Sequence, residues 1–510
     1  MSDVIPIAQA HASISRWLVA VSRLGFIGMA LGLAVFYKSH VLPLMLVGLL
    51  IFSMFALLQS DVALLVVLVT VPLFLIPAEI GGIRDRPVRL PLHEVALLLI
   101  TGAVIVRWLA RHVWYGTMPG WASRRPLPGP VLRWSAVQYH IPAVLLVFAG
   151  VLGVVWAVPE GRSAALRELR WLIVEPLLFY ILLTAAFRRP GAVGTRNQAY
   201  ALGVFILSGA VVTVVGLLQF VGVDLVWLFG TKQVVVASVV AEPGLWRVTS
   251  VYGSPNNLGL YLGRVWPLAA AMLTEAPEPK PIGTHRRWGR TCCFAGGTVL
   301  CLTGLVVSFS RGAWLGVGAA LIVLVFPHIG WRWGQRRVLG GVALGATLML
   351  IIGLAFSLRG GLASANPLMR LSFWREALWL IQQHPLGIGL DQFFYYHNPV
   401  YGRSQLSPLQ LASVDPTAAH PHNLILDIWL RVGPLGSMAF AWLILHFVQQ
   451  TRAPGHAAQD GYAARRARGA LAAMVAALVH GLVDNFYFVP DLAFSFWLLL
   501  ALVEAPRTEQ

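Results

Sequence analysis

Charge is what this chain has least of. Asp, Glu, Lys and Arg make up 12% of its 510 residues while 57% are hydrophobic, against about a quarter charged in an ordinary soluble domain. With a mean hydropathy of +0.72, this argues against a soluble globular protein and for one that crosses a membrane several times. Acid is scarcer than base, 21 residues against 38, for a net charge of +17. The excess does not point to nucleic acid, because the basic residues fall in short segments between apolar runs, where they orient lipid-embedded helices. Acids expected in the outer loops are dispersed (Glu79, Asp85, Glu160, Asp224, Glu242, Glu376, Asp391, Asp415), without the clustered carboxylates that hold Mg²⁺ or Mn²⁺. The three cysteines, Cys292, Cys293 and Cys301, share one apolar run and suggest neither a disulfide framework nor a zinc site. No GxxxxGK[ST] phosphate loop is present, which argues against direct use of ATP. No cofactor and no metal are expected. There is no internal repeat, and the apolar run at 17–36 is too long for a signal sequence, so it is read as a retained first helix.

What the chain does have is apolar length. About 14 runs approach the roughly 20 residues that a helix needs to span a bilayer: 15–36, 41–59, 61–79, 91–109, 140–157, 169–187, 198–222, 256–274, 291–309, 311–327, 338–357, 423–447, 468–485 and 489–504. They are continuously apolar rather than alternating, which excludes barrel strands. The expected fold is an all-α polytopic membrane protein of about 12–14 transmembrane helices, a count set by that span length. Basic segments at 107–139, 188–197, 275–290, 328–337 and 448–468 fall on one side if the runs alternate, so both termini are expected in the cytoplasm. The regions follow as 1–139, 140–357, a large extracytoplasmic loop at 358–422, and 423–510. Within that loop, PLMRLSFWREALWLIQQH at 367–384 predicts an amphipathic helix, its stripe carried by Leu371, Trp374, Ala377, Leu378 and Ile381. The Pro/Gly-rich segment 115–131 is expected to be a loop.

The residues with chemistry gather on the predicted outer face. Arg247 precedes a helix start marked by Ser254, Pro255, Asn256 and Asn257, and Arg311 sits in SFSRGAWLG, a turn of small residues. Guanidinium groups near helix N-termini suit phosphate or pyrophosphate; snorkelling to lipid headgroups is the alternative for each. His422 precedes Asn423, a good N-cap, and the helix dipole there favours a neutral imidazole able to accept a proton. An interfacial histidine with a satisfied hydrogen bond is the plainer reading, and His420 is a rival for the role. Asp427 and Arg431 have the spacing of an ion pair. His480 and Asp484 repeat it, and Asp484 either orients a catalytic histidine or bonds His480 locally.

The ordered set of HN (422–423), nine residues, then GPLG (433–436), together with SFSRGAWLG, RVTSVYGSPNNLGLYL and RLSFWREALWLIQQHPLGIGLDQF, resembles the bacterial O-antigen ligases and the related O-antigen polymerases over about residues 160–500. The resemblance implies a GT-C-like bundle and a metal-independent, inverting glycosyltransferase. Its donor would be an undecaprenyl-pyrophosphate-linked glycan and its acceptor a glycan or glycolipid, with the active site outside the bacterial cytoplasmic membrane. Carried onto this chain, it makes His422 the base for the acceptor hydroxyl and Arg247 and Arg311 the pyrophosphate ligands, with Arg162, Arg167 and Arg170 as weaker candidates. His420, Asn423, His480 and Asp484 would be supporting residues. Ligase and polymerase differ only in acceptor and are not separated. A transporter or flippase for lipid-linked sugars would show charge along a central path and repeated halves, neither of which is visible.

Overall fold

The structure is a computed structural model that describes residues 24–39, 41–83, 86–116, 134–189, 191–223, 225, 239–242, 245–274, 284–325, 367–404, 417–452 and 461–504. The span expected at 338–357, the start of the first run, most of the 115–131 loop, and Asp85, Asp224 and Asp415 lie outside these residues.

The described chain is helical almost throughout. In order come α1 (Leu24–Lys38), α2 (Leu42–Leu58), α3 (Ser60–Thr70), α4 (Leu92–Gly116), α5 (Trp134–Val155), α6 (Arg162–Glu168), α7 (Glu175–Phe187) and α8 (Ala192–Phe220). They are followed by α9 (Pro255–Met272), α10 (Thr284–Val307), α11 (Arg311–Val325), α12 (Pro367–Gln383), α13 (Phe393–His397), α14 (Leu424–Thr451), α15 (Gly461–Gly481) and α16 (Pro490–Val503). Among the described residues five stretches are long and apolar enough to cross a membrane: 92–110, 159–187, 192–220, 289–307 and 424–451. Shorter apolar helices stand at most of the other expected runs. The protein is an all-α polytopic membrane protein.

Two local features depart from expectation. The run 61–79 is not one span: α3 ends at Thr70, a 3₁₀ turn over Val71–Leu73 contains Pro72, and strand β1 (Ala78–Ile83) begins soon after. Proline lacks the N–H that would continue the helix. β1 pairs antiparallel with β2 (Arg86–Leu90), and a second hairpin joins β3 (Val239–Glu242) to β4 (Leu245–Val248). The second hairpin lies where the sequence suggested only a loop, and the first begins inside the run expected as a span.

The chain divides into two compact units, Met1–Val131 with Ala185–Val204, and Leu132–Thr184 with Phe205–Gln510. In the first, α3 and α2 pack against α4, and Asp61 accepts from Arg189 at 2.8 Å and from Asn197 Nδ2 at 3.1 Å.

In the second unit α15 is the central post, packed against α9 and α11. Its buried face is built of Ala467, Gly469, Ala470, Ala472, Ala473, Ala476 and Ala477. Small side chains let helices approach closely where lipid offers no hydrophobic drive for association. α14 packs against α5 and carries a break that the site depends on. Gly433 has φ 65° and ψ −170°, a region open essentially to glycine alone. Pro434 follows with no N–H, so the Leu430 carbonyl loses its helical donor. It takes two others instead, the backbone N–H groups of Ile388 at 2.8 Å and Gly389 at 3.1 Å. The kink thus docks the segment PLGIGL onto α14.

The Asp427–Arg431 pair forms as its spacing predicts, Arg431 Nε to Asp427 Oδ1 at 2.8 Å. Glu168 adds a second buried carboxylate at 2.5 Å from Arg431 Nη1, and Phe488 lies 4.8 Å beneath the guanidinium. Arg431 Nη2 also donates to the Ala419 carbonyl at 3.3 Å, which ties this charged core to the segment that carries His420 and His422.

Candidate active site

Three loops deliver the polar residues, and each is bent by a non-glycine residue in the left-handed region. Among the described residues these are Ser250 (φ 54°), Phe309 (φ 49°), His422 (φ 52°) and Asp391 (φ 53°). The first three sit in RVTSVYGSPNN, SFSRGAWLG and HPHN. Such strain persists only where surroundings over-determine it, and it collects at functional sites. Ser250 shows how: Gln219 donates to its carbonyl at 2.8 Å and accepts from its N–H at 2.8 Å, while its hydroxyl donates to the Val212 carbonyl at 2.6 Å.

His422 stands one residue before the N-cap of α14. Asn423 Oδ1 accepts from the N–H groups of Ile425 (3.0 Å) and Leu426 (3.2 Å), and its Nδ2 donates to the Leu482 carbonyl at 3.1 Å. The helix start is therefore also tied to the turn after α15. α12 covers the histidine from the other side: Trp374 Nε1 donates to the His422 carbonyl at 3.3 Å, and the Phe373 ring lies 5.8 Å from the imidazole. This helix was expected over 367–384 and occupies Pro367–Gln383. Its buried face differs from the expected stripe, however. Phe373, Glu376, Ala377 and Leu380 turn inward while Leu371 and Leu378 are exposed, because Glu376 is drawn in by the fully buried His397, 2.6 Å away.

Asp484 is the hub. Its side chain is 4% exposed, and its two oxygens divide the neighbours. Oδ1 faces His422 Nδ1 at 3.4 Å and His420 Nε2 at 3.7 Å and accepts from the Asn485 N–H at 2.8 Å. Oδ2 accepts from Asn256 Nδ2 at 2.8 Å and lies 3.8 Å from Arg370 Nη2. The two imidazole rings are 4.2 Å apart. Burial raises an isolated carboxyl, but the imidazoles of His420 and His422 beside it outweigh this and hold Asp484 well below its ordinary value. Burial also holds His422 below the usual histidine value, His420 pushes it further down, and the bond to Asp484 opposes both. The result is an ionised carboxylate orienting a neutral imidazole.

From the hub a polar chain runs to the arginines. The Asn256 that donates to Asp484 also accepts from Arg247 Nη2 at 3.3 Å, and Arg247 Nε donates to the Ser308 carbonyl at 3.3 Å. Asn256 is placed by the helix start expected for α9, with Ser254 accepting from its N–H at 3.2 Å and Pro255 in the first turn. Arg311 opens α11 and is partly buried. Among the described residues no hydrogen bond or ion pair commits its guanidinium. The next residue, Gly312, leaves no room for a side chain, since a Cβ there would stand 2.3 Å from His480 Cδ2. His480 Nε2 faces Ser310 Oγ at 3.5 Å. His480 therefore supports the SFSRG turn, while Asp484 is turned toward His422.

Two of the three remaining arginine candidates have other partners. Arg167 pairs with Asp391 at 3.4 Å, Arg170 with Glu175 at 3.4 Å, and both lie over Trp171. Arg162 is exposed at the start of α6. Arg370 is the site residue that sequence reasoning missed as such. It sits in the segment already noted for its likeness to the family, but only as a polar neighbour of an apolar stripe.

The loop geometry, the histidine on a shared carboxylate and the uncommitted arginine meet in one short comparison. Residues 296–441 match the O-antigen ligase family. The match supports the O-antigen ligase/polymerase superfamily, whose members carry glycosyltransferase-like function. No curated protein matches the chain. The matched residues include Arg311, Arg370, His420 and His422. Arg247, Asn256 and Asp484 lie outside them and join the cluster only through the fold.

Proposed function

We propose that the protein transfers a glycan from undecaprenyl pyrophosphate to an acceptor hydroxyl at the outer face of the bacterial cytoplasmic membrane, by inversion and without a catalytic metal. The observation that carries this reading is the carboxylate of Asp484, which serves the base and the cations at once. Asp484 accepts the Nδ1 proton of His422, and that tautomer leaves the Nε2 lone pair free to take the proton of the acceptor hydroxyl. The oxygen so activated attacks the anomeric carbon as the bond to pyrophosphate breaks on the opposite face. Negative charge grows on the departing diphosphate, and preorganised cations lower the barrier because they favour that charge more than the ground state. Arg311, which has no competing partner among the described residues, and Arg247, held by Asn256 and Ser308, are assigned to the diphosphate. Arg370 joins them from α12.

A polymerase would use the same groups with a second lipid-linked repeat as acceptor. His422→Ala protein in proteoliposomes, supplied with a lipid-pyrophosphate glycan and a choice of acceptors, is expected to form product about 10²–10⁴-fold more slowly while still inserting in the membrane. Full activity in that variant overturns the proposal. Failure of the unaltered protein to make any new glycosidic bond favours a transporter. The acceptor that is glycosylated separates ligase from polymerase.

A further inference from the structure

We propose that His420, His422 and Asp484 also form a binding site for a divalent metal ion of the zinc class, and that its occupancy switches the base off. The ligand atoms of the three side chains all lie within 4.8 Å of one another. Zinc bonds of about 2.0–2.1 Å in tetrahedral geometry put neighbouring ligand atoms about 3.3 Å apart. The distances of 3.4 Å from His422 Nδ1 and 3.7 Å from His420 Nε2 to Asp484 Oδ1 are close to that, so small side-chain rotations complete the site. Two imidazoles and one carboxylate are a three-ligand set that leaves the fourth position open. The His420 Nε2 atom is buried and has no hydrogen-bond partner among the described residues, Asp484 Oδ1 lying at 3.7 Å, so a ligand there displaces no short bond. The division of labour on Asp484 suits the ion, because Asn256 and Arg370 engage Oδ2 and leave Oδ1 toward the imidazoles. Arg370 opposes a dication at this distance, which makes the site one of moderate affinity.

The consequence for the reaction rests on the function proposed above. A metal bound through Nδ1 of His422 displaces the proton held against Asp484. The neutral ring then carries its proton on Nε2, and the lone pair needed for the acceptor hydroxyl is gone. Metal and catalysis require opposite tautomers of one histidine, so the ion acts as an inhibitor.

The test uses full-length protein in nanodiscs with Cys292→Ser and Cys293→Ser, because both thiols are exposed and thiolates are zinc ligands in general. Co²⁺ titration, followed by its visible absorption, is expected to report one ion per chain, displaced by Zn²⁺. His420→Gln, checked for monodispersity, is expected to weaken binding by about tenfold or more, and the exposed His140→Ala to leave it unchanged. Zn²⁺ is expected to inhibit glycan transfer reversibly with EDTA, with its half-inhibiting concentration raised to the same degree in His420→Gln. No Co²⁺ band in the parent, or an undiminished one in monodisperse His420→Gln, overturns the site. A site that binds while Zn²⁺ leaves transfer untouched overturns the inhibition. If no transfer is seen under any condition, the absorption titration still decides the site while the function above fails.

Discussion

Asp484 and His422 titrate against each other, and the direction of that coupling is open to measurement. Burial and His420 hold His422 below the ordinary histidine value, and Asp484 pulls it back up. A base must be neutral, so kcat/KM for glycan transfer, measured with chelator present, is expected to be level through neutral pH. It should fall only as pH drops below the ordinary histidine value of about 6.5; an acid limb at or above that value contradicts the reading. Asp484→Asn removes the charge that raises the His422 value, so the limb moves to lower pH. The same change replaces an acceptor-only carboxylate by an amide whose NH₂ can face Nδ1 and favour the wrong tautomer, and the rate on the plateau is expected to drop by about 10²–10⁴. A merely structural role for Asp484 would lower activity without moving the limb. Of these residues, His422 and Arg311 could be singled out in the sequence because each sits in a short motif whose spacing is local. Whether Asp484 orients His422 or bonds His480 locally was not legible, since both fit the same four-residue spacing and only the turn after α15 decides which way the carboxylate faces.

At the scale of elements, the nine-residue interval from Asn423 to Gly433 has a mechanical meaning. It is the length of helix between the N-cap that holds His422 and the break that docks PLGIGL. Gly433 combines a positive φ with a Cβ position 2.3 Å from the Leu386 carbonyl oxygen, so an alanine meets both backbone strain and a clash. Gly433→Ala is expected to cost at least the 1–3 kcal/mol typical of such strain, read as a lowered melting temperature of the purified protein. An unchanged melting temperature would mean that the break is not needed. Helix α12 was legible from its periodicity, whereas its rotation was not. The stripe is apolar enough to be a buried face, but the Glu376–His397 pair turns its Leu371 and Leu378 outward while Ala377 stays buried, and a buried polar pair between residues 21 apart leaves no periodic trace. The hairpins were missed for a related reason: they are short segments among long apolar runs, stabilised by pairing rather than by pattern.

For the whole molecule, scarcity of charge decides the class. A chain with so few ionisable residues has apolar side chains exposed over much of its helical surface, Leu50 at 70% and Ile322 at 67% among them, and lipid is the solvent in which that costs least. Orientation is testable through Val400, 85% exposed beside α13 in the loop assigned to the outer face. Val400→Cys, with the native cysteines replaced by serine, is expected to react in intact spheroplasts with a membrane-impermeant maleimide; labelling only after lysis would reverse the topology. The sequence by itself determined that the protein is a helical membrane protein, where most helices begin, and which histidine and arginines stand beside helix starts, because apolar length, N-caps and prolines act over a few residues. Only the tertiary structure decided that Asp484, Asn256 and Arg370, from three separate parts of the chain, meet at His422, and that Glu168 joins Asp427 at Arg431. Burial makes a charge costly wherever it lies in the sequence, so the partners that compensate it are selected by proximity in space.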